Sequence, residues 1–452
     1  MGLISGTASV RVGATIWTRR LIAILVLALV ALFFARLESV RPLSVVANPP
    51  DFRTFYCGAA VAAAGHDPYR AEPLRACEVA TAASLGLTFF PHGVIPSPLP
   101  GYAFAAFAPL ATLPFAAASA LWFAMLVAAC VATMFLVVDL TRRPLSTVVL
   151  ALIGSEAIAS FETEHLDPIV ICAIVAAALA ARAERPWLAA LGIAGAAFEP
   201  HLAVPCAAAL FIAMPRARLP LIVVAAALVA LAIERIGVMP AFEYVRAVLP
   251  AQALSEIVNF SSQYSLTAAL ARFGVPPDFA LRLGELSFAA MTAAGIVVAC
   301  ACARRFHDHA YLVLIPPAFA VLGGVYVHIH QMAIAIPALL LLFTDLPRWR
   351  RLLTVACVCL AIPWQIIAEQ PDIQHLLSVH VAALPGPAFA AVDDANHLAE
   401  DAWRIYEEQT SVTTLGVSIV ELAIKLPTWF ALAAIAFVAA RGSRDAPSPT
   451  KT

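Results

Sequence analysis

Ionisable side chains interrupt several strongly apolar stretches of this 452-residue sequence. They lie in three short polar segments, which contain Glu162, Glu164, His165 and Asp167, then Glu199 and His201, and finally His328 and His330. A charge inside a bilayer costs about 2.5–3.5 kcal/mol on insertion scales, so polar groups gathered there usually line a polar cavity. The alternative interpretation is that each segment only marks a helix end, where glutamates cap the helix or reach water.

Some of these residues have types that could bind a metal ion. His328-x-His330 offers two imidazoles, and Glu164-His165 with Asp167 offers carboxylate oxygens. The spacing is weakly specific, because no His-Glu-x-x-His motif and no Cys-x-x-Cys in a polar loop accompanies it. We therefore expect no metal and no cofactor, and activity that survives chelators. The sequence also lacks a glycine-rich phosphate loop and a Gly-x-Ser-x-Gly motif, which excludes the common nucleotide-binding and serine-hydrolase classes.

The composition places these residues in a membrane protein. Hydrophobic residues make up 62% of the chain and charged residues 13%, with a mean hydropathy of +0.88. Ordinary soluble domains are about 45–50% apolar and about 25% charged. The 28 basic and 29 acidic residues nearly cancel, so no overall basic field is present to hold nucleic acid. We expect membrane lipid, and no nucleic acid, among the partners.

Arginine clusters predict the topology, because positive residues accumulate on the cytoplasmic side. They are Arg142 and Arg143, Arg182 and Arg185, Arg216 and Arg218, Arg304 and Arg305, Arg348 with Arg350 and Arg351, and a last group at Arg441 and Arg444. Each interval between clusters holds two apolar segments around a polar one. This predicts an all-α polytopic protein with about twelve membrane helices and both termini cytoplasmic, in a bacterial inner (plasma) membrane.

The N-terminal apolar run Leu21–Phe34 follows several arginines, and no small-residue cleavage site follows it. We interpret it as a retained first helix. The whole chain, 1–452, is predicted to form one membrane domain. Its longer exposed parts are three external segments at 38–98, 234–285 and 369–414, and a cytoplasmic tail at 441–452.

The first external segment is predicted to contain two short helices on the membrane surface, separated by the turn Asp67-Pro68-Tyr69. Residues Pro98–Leu140 are long for one helix and rich in proline, so we expect a broken or re-entrant piece there. Trp187–Ala197 and His201–Met214 are short for full spans. We expect them to be half-helices that meet at a buried site.

Two of the nine cysteines, Cys57 and Cys77, lie in the first external polar segment, whereas the other seven lie in apolar runs. An external compartment permits disulfides. Either a bridge joins the two predicted surface helices, or both residues remain free thiols.

Several motifs resemble glycosyltransferase family 87. They are Asp51-Phe52-x-x-Phe55-Tyr56, Gly65-His66-Asp67-Pro68-Tyr69, Phe90-Pro91, Pro109-Leu110, Leu113-Pro114, Leu121-Trp122, Leu249-Pro250, Ser262-Gln263-Tyr264-Ser265-Leu266 with Arg272, and Tyr326 to Pro337. The resemblance covers roughly residues 45 to 345. The chain departs from the family where Glu199-Pro200 replaces a frequent Lys-Pro, and where no tryptophan precedes His330.

The resemblance implies a fold of the GT-C type and an enzyme that transfers a sugar from a polyprenyl-phosphate donor. Mannose is the expected sugar, with another hexose or a pentose as alternatives. A lipid or glycan on the external face is the expected acceptor, and the transfer is expected to invert the anomeric centre.

The resemblance also suggests site residues. Asp51 is the expected general base, although an aspartate there also suits a helix N-cap. The expected substrate-binding residues are Arg53, Tyr56, Glu164, His165, Glu199, Gln263, Arg272, His328 and His330. Of these, Arg53, Arg272 and His330 are candidates to hold the phosphate. The alternative function is a transporter or flippase of a lipid-linked or anionic substrate, which broken helices and buried charges also fit.

Overall fold

The computed structural model describes residues 49–87, 94–153, 155, 160–161, 163–255, 257, 263–362, 364, 397–410 and 419–444. The predicted first helix Leu21–Phe34 lies outside these residues, as do Glu162, most of the third external segment and most of the predicted tail.

The described residues are almost entirely helical and contain no named strand, which confirms the all-α prediction. The helices are α1 Pro50–Ala63, α2 Ala71–Ser84, α3 Gly101–Ala111, α4 Phe115–Thr141, α5 Leu145–Ile153, α6 Asp167–Arg182, α7 Pro186–Ala196, α8 Pro200–Ala213, α9 Arg218–Ile236, α10 Val238–Glu243, α11 Leu249–Ser255, α12 Leu266–Arg272, α13 Pro277–Phe306, α14 Tyr311–Leu322, α15 Ala335–Asp345, α16 Arg350–Ala361, α17 Ala399–Thr410 and α18 Ile419–Arg444. A π-helical turn, Tyr244–Val248, joins α10 to α11, and a 3-10 helix, Ile329–Ile334, precedes α15.

Four helical stretches within the described residues are long and apolar enough to cross a membrane. They are Phe115–Thr141, Pro215–Ile236, Pro277–Phe306 and Ala423–Arg444. A fifth candidate is the pair Ile329–Asp345 and Pro347–Ala361, which is bent by 113°. The predicted count of about twelve spans is therefore not confirmed. Counting apolar runs between arginine clusters treats every run as a span, whereas the helices α3, α7, α8 and α14 contain only 10–17 residues each.

Proline-containing breaks account for part of this difference. Pro98–Leu140 divides at Thr112–Pro114 into α3, with 11 residues, and α4, with 27 residues. At 1.5 Å per residue, α3 is about 16 Å long and α4 about 40 Å. Only α4 exceeds the roughly 30 Å of a bilayer core. The expected short helices are also present, as α7 and α8.

Small residues let these helices approach closely. A Cβ added to Gly192 of α7 would lie 2.7 Å from Ala177 Cβ and 2.9 Å from Ala173 O on α6. Lipid tails are as apolar as side chains, so membrane helices associate through such close packing rather than through hydrophobic burial alone. This contact fixes the start of α6 relative to the start of α8, where the polar segments lie.

The segment predicted to be external, 38–98, contains two short helices, α1 and α2. Cys57 and Cys77 join them as a disulfide with a Cα–Cα distance of 5.6 Å. Helix α17 packs on the same side, where Ala399 and Ala402 are buried against Cys57 and Leu74. The disulfide and α17 thus hold the surface helices in one unit.

Candidate functional site

A cavity of about 270 Å³ lies beside the first turns of α6 and α8. Most of its wall is apolar, and a few polar side chains point into it. The lining residues are Phe55, Pro98, Leu99, His165, Leu166, Phe198, Glu199, Pro200, His201, Tyr244, Leu249, Gln252, Glu285, Phe288, Val325, Tyr326 and Gln331. A concave, mainly apolar site with a few convergent polar groups is typical of a small-molecule or lipid-binding pocket.

Proline-initiated helices position the carboxylates. Helix α1 begins at Pro50 with Asp51 in its first turn, and α6 begins at Asp167-Pro168. Glu199 is the residue immediately before Pro200 at the start of α8. Proline suits the first helical turn because its missing N–H would be unpaired there, and a carboxylate at the same end interacts favourably with the helix dipole. Three acidic residues therefore lie at three helix starts for a local reason.

The tertiary fold brings two of these starts together with two histidines. The distance from His165 Nδ1 to Asp167 Oδ2 is 2.5 Å, and that from His330 Nε2 to the same oxygen is 3.4 Å. Glu199 Oε1 lies 3.7 Å from His165 Nδ1. The rings of His165 and His330 are 4.1 Å apart between centroids. All three polar segments, which are distant from one another in sequence, thus meet in one cluster.

Gln331 links the cluster to the second polar segment. Its Nε2 donates to Glu199 Oε2 at 3.1 Å, and its Oε1 accepts from His328 N at 3.0 Å. His201 Nε2 lies 3.7 Å from Glu199 Oε2. The amide therefore fixes one oxygen of Glu199, and the other oxygen points toward His165.

His328 lies behind the cluster. Its ring is 5.0 Å from that of His330 and nearly parallel to it, and its Nε2 is 2.6 Å from Tyr326 Oη and 3.0 Å from Gln263 Nε2. Lys425 of α18 donates to Gln263 O at 2.6 Å. Of these predicted residues, His328 stacks on His330, and Gln263 contacts His328.

Asp51 approaches the cluster from α1. It forms a side-chain hydrogen bond with Thr163 and interacts electrostatically with His165 and Asp167. Burial raises the pKa of Asp51, although the nearby His165 partly offsets this effect. Burial alone would lower the pKa of His165, but Asp167, Asp51 and Glu199 outweigh it and raise the pKa to about 9. Phe55, one turn after Asp51 on the same helix face, lines the cavity.

Other predicted residues lie elsewhere. Glu164 has a positive φ of 58°, and its carboxylate accepts from Ser119 Oγ at 3.0 and 3.1 Å, away from the cavity. Trp122 Nε1 donates to Glu164 O at 2.8 Å. Tyr56 Oη donates to Leu113 O at 2.8 Å. Glu164 thus attaches its polar segment to α4, and Tyr56 attaches α1 to the turn just before α4.

The two predicted arginines are also outside the cavity wall. Arg53 is 2% exposed, interacts electrostatically with Glu78, and lies 5.9 Å from the ring of Phe115. Arg272 ends α12. Neither residue lines the cavity, so the fold does not bring the two arginines to the candidate site.

The sequence placed Asp167 in a polar segment and among possible metal ligands, but the expected catalytic and substrate-binding residues did not include Asp167, Gln331 or Tyr326. Asp167-Pro168 repeats the pattern of Glu199-Pro200, with an acidic residue directly before a helix-starting proline. That repeated pattern could have identified Asp167 as a site residue from the sequence alone. Gln331 and Tyr326 depend on tertiary contacts and carried no comparable signal.

The family comparison fits this arrangement. A family model described as glycosyltransferase family 87 matches residues 100–315, a range that includes Asp167 and Glu199. No curated protein and no solved structure matches the chain. The family suggests a membrane glycosyltransferase. The match supports the resemblance to glycosyltransferase family 87 that the sequence motifs carry.

Proposed function

We propose that this protein transfers a sugar from a polyprenyl-phosphate donor to a hydroxyl group of a lipid or glycan acceptor on the external face of a bacterial plasma membrane. The sugar is a hexose, mannose first, or a pentose. The observation that carries the proposal is the position of Asp51, which reaches the polar cluster from a helix whose next turn, at Phe55, lines the cavity.

The chemistry is a single in-line displacement. The Asp51 carboxylate takes the proton of the acceptor hydroxyl while that oxygen forms a bond to the anomeric carbon. The bond between that carbon and the phosphate oxygen breaks, and polyprenyl phosphate leaves with both electrons. One displacement inverts the anomeric centre, and one positioned base supplies the proton transfer it needs.

The leaving phosphate needs a positive or hydrogen-bonding partner, because charge develops on its bridging oxygen. His165 and His330 are the groups in the correct region, since His165 lines the cavity and His330 packs against it. Arg53 and Arg272, the other sequence candidates, lie off the cavity wall. The histidines therefore take the phosphate-binding role in this proposal.

The remaining cavity wall suits a lipid-linked sugar. Phe55, Leu99, Leu249 and Phe288 provide apolar surface for the first isoprenoid units. Glu285, Gln252 and Tyr326 also line the cavity, and such groups bond sugar hydroxyls. One pocket thus combines a lipid-compatible wall with sugar-compatible polar groups.

Two observations support an external location for the cavity. The disulfide between Cys57 and Cys77 belongs to an oxidising compartment. Asp167 and Arg182 lie at opposite ends of α6, about 22 Å apart at the helical rise. Positive residues mark the cytoplasmic side. In a variant whose native cysteines have all been replaced, we expect an impermeant thiol reagent to label a single cysteine at the exposed His66 position from outside. It should not label one at the exposed Arg142 position.

Product analysis with the full chain in nanodiscs tests the activity. We expect incubation with polyprenyl-phosphate mannose and a lipid acceptor to release polyprenyl phosphate and form a glycoside of inverted configuration. A polyprenyl-phosphate pentose serves as the comparison donor. In sealed vesicles, movement of intact donor across the bilayer without cleavage would contradict the proposal and favour the transporter alternative.

A further inference from the structure

We propose that His165, Asp167 and His330 bind a divalent transition-metal ion, Zn²⁺ or Mn²⁺, beside the cavity. Each residue offers one ligand atom, and these atoms all lie within 4.8 Å of one another. His165 precedes α6, Asp167 is in its first turn, and His330 is in the 3-10 helix before α15. The fold brings three potential ligands together from positions that are up to 165 residues apart in sequence.

An unsatisfied nitrogen points into this group. His330 is 5% exposed, and its Nε2 has no hydrogen-bond partner among the described residues. That nitrogen lies 3.4 Å from Asp167 Oδ2. A buried polar atom without a partner costs about 1–3 kcal/mol. A metal ion held between the nitrogen and the carboxylate removes that cost.

The local charge also favours a cation. Asp51, Asp167 and Glu199 place three carboxylates around His165 and His330. The carboxyl groups of Glu199 and Asp167 also interact directly with each other. Buried charges without a compensating partner are strongly unfavourable in a protein interior. A divalent ion offsets the negative charge of these carboxylates when they are ionised, and Glu199 Oε1, which lies 3.7 Å from His165 Nδ1, is an additional oxygen near the ligand group.

The ligand types select the metal class. Two imidazoles with one carboxylate suit Zn²⁺ and other first-row transition ions, whereas Mg²⁺ and Ca²⁺ prefer oxygen ligands. Ligands bound at 2.0–2.1 Å in a tetrahedral site are about 3.3 Å apart. The 3.4 Å between His330 Nε2 and Asp167 Oδ2 already matches this spacing. The 2.5 Å between His165 Nδ1 and Asp167 Oδ2 must widen by less than about 1 Å.

The role of the ion, though not its binding, rests on the proposed function. The ion lies next to His165 on the cavity wall, where the leaving phosphate needs positive charge. With the ion bound, His165 is a neutral ligand and the metal supplies the charge. The sequence offered His328-x-His330 together with Glu164-His165 and Asp167, and no recognised metal motif accompanied them, so no metal was expected. The fold brings only His330 of that histidine pair together with His165 and Asp167.

Direct metal binding by the full chain in nanodiscs tests the inference. Protein stripped with a chelator is incubated with Zn²⁺ or Mn²⁺, separated from free ion, and analysed by mass spectrometry for metal content. We expect about one ion per chain, and His330→Ala or Asp167→Asn to weaken binding by at least about 10- to 100-fold. His328→Ala is the matched control, because its ring stacks on His330 but lies outside the ligand group. It should keep the ion.

A second readout separates loss of binding from misfolding. Zn²⁺ or Mn²⁺ should raise the thermal unfolding temperature of the parent and of His328→Ala, but not that of His330→Ala, which should unfold like the stripped parent. The inference is overturned if the parent binds less than about a tenth of an ion per chain, if His330→Ala and His328→Ala behave alike, or if Mg²⁺ binds more tightly than both transition ions. Stoichiometric metal without sugar transfer would leave the inference standing and contradict the proposed function. Unchanged transfer by metal-free protein would support the proposed function and contradict the role given to the ion.

Discussion

The two sides of α1 carry buried charges of different kinds. Arg53 faces Glu78, which also interacts with Arg75, so a single carboxylate has two guanidinium groups nearby. Asp51, only two residues earlier, faces a region with two further carboxylates and two imidazoles. The first side also contains the disulfide and α17, and the second contains the cavity.

The Arg53 side of α1 therefore belongs to the structural framework and is called the scaffold side, whereas the Asp51 side belongs to the candidate site. On the Arg53 side, charged groups are compensated by protein partners and closed off from the cavity, as expected where charges stabilise a fold. On the Asp51 side, three carboxyl groups share one buried region with two imidazoles, and a cavity adjoins it. Buried charge that protein groups leave uncompensated marks the place where a ligand completes the structure.

The largest expected effect concerns Asp51. Asp51→Asn keeps the size of the side chain and its suitability for a helix start, but removes the base. We expect sugar transfer to fall by about a hundredfold to ten-thousandfold with little change in unfolding temperature. The measurement is turnover at matched amounts of folded protein in nanodiscs.

Asp67→Asn is the control for this variant. Asp67 lies in the same external segment, accepts from Tyr69 N at 3.0 Å and pairs with Arg70, so it belongs to a turn. Its transfer rate should stay near that of the parent. A folded Asp51→Asn protein with more than about a tenth of parental turnover would show that another group is the base.

Arg53→Met should lower stability more than activity, which is the reverse of the result expected for Asp51→Asn. It removes one partner of a buried charge pair and leaves Glu78 less compensated, so we expect the free energy of unfolding to fall by about 3–5 kcal/mol. Turnover per folded molecule should fall far less than in Asp51→Asn. Denaturant unfolding together with activity per folded molecule distinguishes the two effects.

Arg53→Lys keeps the positive charge and should recover most of the stability lost in Arg53→Met. If Arg53→Met and Arg53→Lys both folded normally and both lost transfer, Arg53 would belong to the site, and the proposed division of α1 into two sides would fail.

The next largest expected effect is the loss of stability when the disulfide is removed. Cys57 and Cys77 are separated by 20 residues, and closing a loop of that length contributes about 3 kcal/mol in the chain-entropy model. Serine at both positions should lower the unfolding temperature of the full chain. It should leave the pH profile of transfer unchanged, because both cysteines lie on the scaffold side. Equal stability with and without reductant would show that the bridge does not form in the membrane.

The smallest effect concerns α17 and pH. Burial raises the pKa of Glu400 to about 8, with further contributions from Asp401 and Asp67 and an opposing one from Arg70. Because the folded-state value lies above the unfolded value of about 4.5, the stabilisation is complete below the unfolded value and is lost as pH rises through about 8. The unfolding temperature of the parent should therefore fall between pH 5 and pH 8.5.

Glu400→Gln should reduce this decrease of the unfolding temperature with pH, because an amide does not ionise. Asp401→Asn should keep most of the decrease. Asp401 is only partly buried and serves as the neighbouring control. An identical pH dependence of the unfolding temperature in the parent and in Glu400→Gln would show that Glu400 does not become buried on folding.

Local chemistry made part of this structure predictable from the sequence. Pro50, Pro186 and Pro200 mark helix starts, and the predicted short helices around residues 187–214 are α7 and α8. The two surface helices and their cysteine pair were likewise expected from local composition. Such features depend on neighbours in the chain, which the sequence shows directly.

Longer-range features were less accessible. Arg53 and Asp51 have similar sequence contexts, yet the rotation of α1 directs one to Glu78 and the other to His165. Glu164 and His165 are adjacent, yet Glu164 bonds Ser119 and His165 bonds Asp167. The direction of a side chain depends on packing between distant helices, and no local pattern in a single sequence records it.

The prolines at the three acidic helix starts have a further consequence. Fixed φ angles at Pro50, Pro168 and Pro200 restrict the backbone next to Asp51, Asp167 and Glu199 in the unfolded and folded states alike. Little conformational freedom is left to lose there when a substrate arrives. Preorganised groups lose less conformational entropy on binding, so more of the interaction energy contributes to affinity. We therefore expect any closure on substrate binding to move the apolar wall of the cavity, while the carboxylate positions stay nearly the same before and after binding.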